Sequence, residues 1–112
     1  MRTNRVLQLV GLAARAGQVT SGTEAVKNSI LRKKAYLLIL SNDIADNTSR
    51  ELIAACQRTG VHHICNGNKY ELGQAVGKAY RVAVTINEPR LAQRVLSELE
   101  AVQDPSTNMG VD

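Results

Sequence analysis

At 112 residues, 44% of them apolar, the chain has material for one globular domain and no second. Its aromatic fraction is 3%, three tyrosines with no Phe and no Trp, which excludes a nucleic-acid platform built on rows of stacking rings and leaves the core to Leu, Val, Ile and Ala. The formal charge of +4 is unevenly placed: residues 1–34 carry +6, residues 35–85 carry +1 and residues 86–112 carry −3, so a basic front and an acidic rear predict an oriented contact with an anion.

Arg2 and Arg5 ahead of the apolar stretch Val6–Ala14 resemble the start of a signal peptide, but Gln8 interrupts the stretch and Arg15 closes it. On a helical wheel Val6, Leu9, Val10, Ala13 and Ala16 share one side and Asn4, Gln8, Gly11 and Arg15 the other, the pattern of an amphipathic helix in a globular domain. Gly17 is a natural helix stop, and Val19-Thr20 suits a short strand. Ser21-Gly22-Thr23-Glu24 has the capping-box pattern and opens a second helix, with Val26 and Ile30 inward and Arg32-Lys33-Lys34 at its negative end. Tyr36–Leu40 is apolar on both faces, which predicts a central buried strand.

Asn47, Thr48 and Ser49 are cap candidates for a third helix over 49–58, closed by Gly60, and 61–65 reads as a strand. Asn66-Gly67-Asn68 turns the chain into a short helix over 69–76 that ends at Gly77. Val82–Ile86 is a last strand, and Pro89 stands in the first turn of a last helix. This alternation predicts an α/β fold in which helices cover both faces of one sheet. Residues 1–102 form the expected single domain, and 103–112, without periodicity, the expected disordered tail. No run of eighteen apolar residues occurs, so no membrane partner is expected. Cys56 and Cys65, outside any C-x-x-C, suit packed thiols in a reducing cytoplasm.

Candidate chemistry is thin. Asp43, Asp46 and Glu51 follow the central strand, where metal-dependent enzymes place carboxylates, but no Gly-rich phosphate loop accompanies them and capping is the simpler role. His62 and His63 point to opposite faces of a strand, and His63 with Cys65 makes at most half a metal site. With no Walker loop, G-x-S-x-G or G-x-G-x-x-G, the expectation is a protein without catalysis, cofactor or metal. The helix opened by Gly22 stands apart. Glycine there exposes backbone N–H groups to a phosphate, and Glu24 and Lys27, one turn apart, put an acceptor and a cationic donor side by side, as reading a guanine edge requires. The same residues equally suit a capping box and an i, i+3 surface pair worth roughly 0.2–0.5 kcal/mol.

Gly22-Thr23-Glu24-x-x-Lys27, the buried strand 35–40 with Asp43 after it, Cys56, and Tyr70-Glu71-Leu72-Gly73-Gln74-Ala75-Val76-Gly77 together resemble the kink-turn RNA-binding ribosomal protein family, and most closely its small bacterial YlxQ-type members. The resemblance runs from about Leu9 to Leu99. It implies a three-layer α/β/α sandwich with a mixed four-stranded sheet, and a cytoplasmic protein whose partners are structured RNA (kink-turn, ribosomal RNA) and the ribosome or another ribonucleoprotein. The RNA-binding residues it implies are Ser21, Gly22, Thr23, Glu24, Lys27, Asn28 and Asp43, with the loop Lys78-Ala79-Tyr80-Arg81 closing on looped-out nucleotides. Thr23 stands where the family commonly has Asn, and a hydroxyl cannot make the bidentate contact of an amide. Lys78 and Arg81 suit phosphates; Tyr80 suits either stacking on an extruded base or packing back on the sheet. The alternative on the same fold is a protein-interaction module whose basic front meets an acidic partner or the ribosome without reading RNA.

Overall fold

The computed structural model describes residues 4–103. Five helices and four strands alternate: α1 (Arg5–Arg15), β1 (Val19–Ser21), α2 (Thr23–Leu31), β2 (Leu37–Leu40), α3 (Asp46–Thr59), β3 (His62–Cys65), α4 (Lys69–Ala75), β4 (Ala83–Ile86) and α5 (Pro89–Gln103). The strands form one mixed sheet in the order β1-β4-β2-β3, with β2 and β3 parallel and β4 antiparallel to both β1 and β2. β2 and β4 are the inner strands and are buried along their whole length, which is why their sequences are apolar on both faces apart from the buried Thr85.

Side-chain alternation divides the core in two. Leu37, Ile39, Val84 and Ile86 pack with Val6, Leu9, Val10 and Ala13 of α1, Leu72 of α4, and Ala92 and Val95 of α5. Leu38, Leu40 and Ala83 point the other way, into Val26 and Ile30 of α2 and Leu52, Ala55 and Cys56 of α3. This is the expected three-layer sandwich: α1, α4 and α5 on one face, α2 and α3 on the other. Among the described residues no helix is long and apolar enough to cross a membrane.

Several local details differ from the sequence reading. Gly11, assigned to the polar face of α1, is buried; a Cβ there would lie 3.4 Å from the Ala75 carbonyl, so α1 and α4 meet through it. Ser21 does not cap α2. It is the last residue of β1, the N-cap is Gly22, and no side chain caps that helix. α2 ends at Leu31, leaving Arg32, Lys33 and Lys34 beyond its last turn. α3 begins three residues early, at Asp46, because Ala45 is extended and its carbonyl accepts from the Ser49 N–H at 3.0 Å, which places Asn47, Thr48 and Ser49 inside the first turn. Cys56 is buried as expected, but Cys65 is exposed on the edge strand β3. α5 runs through Gln103; the remainder of the expected tail lies outside the described residues.

Candidate nucleic-acid interface

The register sets Ser21 opposite Val84 and Leu40 opposite both Ala83 and Cys65, so the segments after β1, β2 and β3 and the segment before β4 emerge at one end of the sheet. Backbone bonds tie these segments together. The Gly22 N–H donates to Ala83 O (3.2 Å), Ser41 N–H to Val82 O (2.9 Å), Asn42 N–H to Gly67 O (2.8 Å), Asn66 N–H to Leu40 O (2.9 Å) and Arg81 N–H to Lys69 O (2.9 Å). Four loops therefore form one braced rim.

Gly22 sits at φ 94°, ψ 142°, a region that side-chain-bearing residues rarely adopt, and this turns the chain abruptly from β1 into α2. The first-turn N–H groups of α2 have no intrahelical acceptors and no capping side chain, and the positive end of the helix dipole lies there with them. Facing this turn is the loop 78–81. It is held from beneath by α4, where the Lys78 N–H donates to Gly73 O at 2.8 Å. Gly73 is required by contact: a Cβ at that position would come within 2.5 Å of Tyr80 Cα and 2.8 Å of its N and C atoms. The Arg81 guanidinium spans the two sides, with Nε donating to Ser21 Oγ at 3.1 Å and Nη1 to Tyr80 O at 2.7 Å. Gly22, Thr23, Tyr80, Arg81 and Val82 line a hollow of about 200 Å³ between them. Tyr80 does not pack back on the sheet; it is 56% exposed at the rim of this hollow. Lys78 and Ala79 are exposed in the same loop.

The other expected site residues are only partly gathered here. Glu24 is exposed in the first turn of α2. Lys27 does not pair with Glu24. Its Nζ lies 2.6 Å from Glu51 Oε2 on α3, because α2 and α3 pack side by side and bring that carboxylate nearer. Asp43 stands on the rim, but its Oδ1 accepts from the Lys69 N–H at 3.1 Å and so braces the start of α4. Asn28 lines a separate hollow with Thr20, Ser29, Arg32, Lys34 and Asn87.

The sequence reading missed Lys69 and Tyr70, which the Asp43 and Arg81 bonds hold on the same rim. Tyr70 is 60% exposed, with Lys69 Nζ 5.4 Å from its ring centroid. The signal was available: Asn68-x-x-Glu71 is a capping box, with Asn68 Oδ1 accepting from the Tyr70 and Glu71 N–H groups and Glu71 Oε1 from the Asn68 N–H, and it fixes where α4 begins. Burial pushes the Cys56 thiol up from its ordinary 9.0 to about 11, far from this rim. Among the described residues no group of three or more His, Cys, Asp or Glu gathers as a metal site would need.

The model of the family described as "Ribosomal protein L7Ae/L30e/S12e/Gadd45 family" matches residues 4–96. The RNA-binding protein YlxQ of Bacillus subtilis (strain 168) is 32% identical over 92 residues, covering 82% of this chain and 92% of the relative. Large ribosomal subunit protein eL30 of Lupinus luteus is 36% identical over 75 residues, 65% of this chain and 66% of the relative. Among solved structures, a protein of unknown function from Bacillus halodurans superposes with a TM-score of 0.81 at 30% identity, covering 85% of this chain and 96% of its own. A 15.5 kD RNA-binding protein of Giardia lamblia shares the fold with a TM-score of 0.73 at 23% identity, over 90% and 92% of the two chains.

Proposed function

The chain belongs to the ribosomal protein L7Ae/L30e/S12e/Gadd45 family, and from that premise we propose that it is an RNA-binding, ribosomal-protein-like component of a cytoplasmic ribonucleoprotein, without catalytic activity, that recognises a kink-turn or kink-loop RNA. The observation that carries this reading is the uncapped start of α2 at Gly22, set across a small hollow from the exposed Tyr80 and from Arg81. A bent RNA has what such a hollow needs: a phosphate for the free N–H groups, a guanine edge for Glu24, and an extruded base for Tyr80. Lys27 contributes a positive charge one turn along, shared with Glu51 in the free protein. Arg81 holds the two walls at fixed separation, so the protein selects the kinked RNA conformer from an unkinked ensemble.

The test is titration against a kink-turn RNA and against the same RNA with its sheared G·A pairs changed to Watson–Crick pairs. The expected result is tight binding to the first alone, with Glu24→Ala weakening it by about 1–3 kcal/mol, the worth of a good base contact. Glu24 is the sharp probe, since removing an acid strengthens binding that is purely electrostatic and weakens binding that reads a base. Equal affinity for the two RNAs overturns the kink-turn reading.

A further inference from the structure

At the opposite end of the sheet, about 13 Å away along four residues of strand, the chain gathers its densest run of positive charge. Arg32, Lys33 and Lys34 are consecutive and all exposed. Among the described residues the one ion pair is Lys27–Glu51, so none of these three cations is neutralised there. Glu88, the acid that follows β4 at this end, is turned to α5, where its Oε2 accepts from the Leu91 N–H at 2.7 Å.

The three cations form a ridge between two hollows. On the β3 side, Lys33, Tyr36, Thr59, Gly60 and His62 line a space of about 340 Å³, with Tyr36 49% exposed. On the β1 side, Arg32 and Lys34 line a space of about 250 Å³ with Asn28, whose amide makes no hydrogen bond among those described. Lys33 also has φ 61°, the only positive φ at a described non-glycine residue. It is the turn that closes α2, with the Lys33 N–H donating to Ile30 O at 3.0 Å and the Lys34 N–H to Ser29 O at 2.9 Å, and it points the three side chains outward in succession at the cost of a conformation glycine adopts more readily.

We propose that this end is a second RNA-binding surface, which takes a single-stranded segment with its phosphates on Arg32, Lys33 and Lys34 and one base stacked on Tyr36. A ring beside a row of unneutralised cations is how sequence-tolerant single-strand binding is built, and one exposed tyrosine is enough for one base. Asn28, distant from the Tyr80 hollow, is part of this surface and meets the strand from the β1 side. With kinked RNA at the Gly22 end, the protein then holds two RNA segments apart by the length of its own sheet.

The experiment uses fluorescein-labelled oligouridine, titrated against the full chain alone and against the chain saturated with unlabelled kink-turn RNA. The expected result is binding in both states. Tyr36→Ala weakens it about tenfold and Tyr36→Phe leaves it unchanged. The R32Q/K33Q/K34Q variant reduces the salt-dependence slope by about two, as loss of three single-strand phosphate contacts requires. Lys33→Gly is the internal control: it relieves the backbone and raises Tm while weakening oligouridine binding. Absence of oligouridine binding overturns the proposal, as does loss of that binding on Glu24→Ala, which assigns it to the Gly22 end. Equal displacement by dextran sulfate with Tyr36→Ala silent also overturns it, leaving only unspecific attraction of polyanions. The titration of the chain alone decides this question even where kink-turn RNA fails to bind, so the two readings fail separately.

Discussion

The two ends of the sheet use charge in opposite ways. At the Gly22 end several side chains of the proposed site are already engaged within the protein: Arg81 on Ser21 and the Tyr80 carbonyl, Lys27 on Glu51, Asp43 on the Lys69 N–H. At the Tyr36 end three cations stand together with no carboxylate on them among the described residues. The first arrangement fixes shape, which is what the proposed reading of a kinked RNA requires. The second leaves field and flexible side chains, which attract a backbone and discriminate little. The two proposed surfaces, one braced and one charged, are thus separated by a few residues of β2 and β4, and substitutions are expected to remove one while sparing the other.

The largest effect is expected at Gly73. An alanine methyl within 2.5 Å of the Tyr80 backbone has only main chain to push against, so Gly73→Ala displaces the loop 78–81 and costs about 1–3 kcal/mol of stability. Denaturant unfolding measures the cost, and RNA titration is expected to show kink-turn affinity lost with oligouridine binding kept. Loss of both together would mean that the ends are not independent. Gly22→Ala follows. No atom lies within 4 Å of the added methyl, so its effect is purely conformational, about 1–3 kcal/mol divided between stability and a shifted start of α2. A variant of wild-type stability and wild-type kink-turn affinity would remove the Gly22 turn from the site.

An effect that is absent at neutral pH is set by alkali on the α3 side of the core. Cys56 packs against the sheet and its carbonyl accepts from the Gly60 and Val61 N–H groups that begin the Tyr36 end. Its thiol titrates near 9.0 when unfolded and at about 11 when folded, because burial penalises the thiolate. The folded state therefore holds the proton longer. The stabilisation is complete below pH 9 and is lost as pH rises to about 11, with a limiting slope of about 1.36 kcal/mol per pH unit. Unfolding measured across that window is expected to show a steeper fall for the natural chain than for Cys56→Ala; parallel curves would contradict it. Cys65, exposed at the Gly22 end, is expected to react with a thiol reagent in the folded protein while Cys56 does not.

What could be read from sequence differs between these ends for a physical reason. Element types follow from periodicity, and the inner strands Leu37–Leu40 and Ala83–Ile86 announce themselves because burial on both faces leaves them almost wholly apolar, with Thr85 the one polar residue. Gly22, Glu24 and the 78–81 loop are readable as a group only because the spacing of the motifs resembles a family; local pattern alone leaves Ser21 as a cap, which it is not. Glu51 as the partner of Lys27 was beyond reach, since it depends on how α2 lies along α3, and i, i+3 proximity favoured Glu24. Gly73 reads as a motif letter, and its necessity appears only when Tyr80 is seen against it. The basic run 32–34 was visible, but as the end of a helix; that it forms a ridge between two hollows depends on where β1 and β3 lie.

The smallest predicted effect tests whether bracing costs the Gly22 end some of its attraction for RNA. Lys27 and Glu51 are 32% and 56% exposed, so solvent screens the pair, and Glu51→Gln is expected to change stability by less than about 1 kcal/mol. The same substitution releases the Lys27 ammonium on the face of α2 that leads to Glu24. If the pair holds Lys27 back from phosphate in the free protein, kink-turn affinity rises and the salt dependence steepens by about one phosphate contact. Lys27→Ala supplies the reference, lowering affinity and flattening the slope. Should both variants leave the slope where it was, Lys27 contributes to the fold and not to the interface, and recognition at that end rests on Glu24, the free N–H groups and the loop alone. A slope that moves in opposite directions in the two variants instead shows one cation shared between a carboxylate and RNA, in which case the braced end becomes more like the charged end when a single acid is removed.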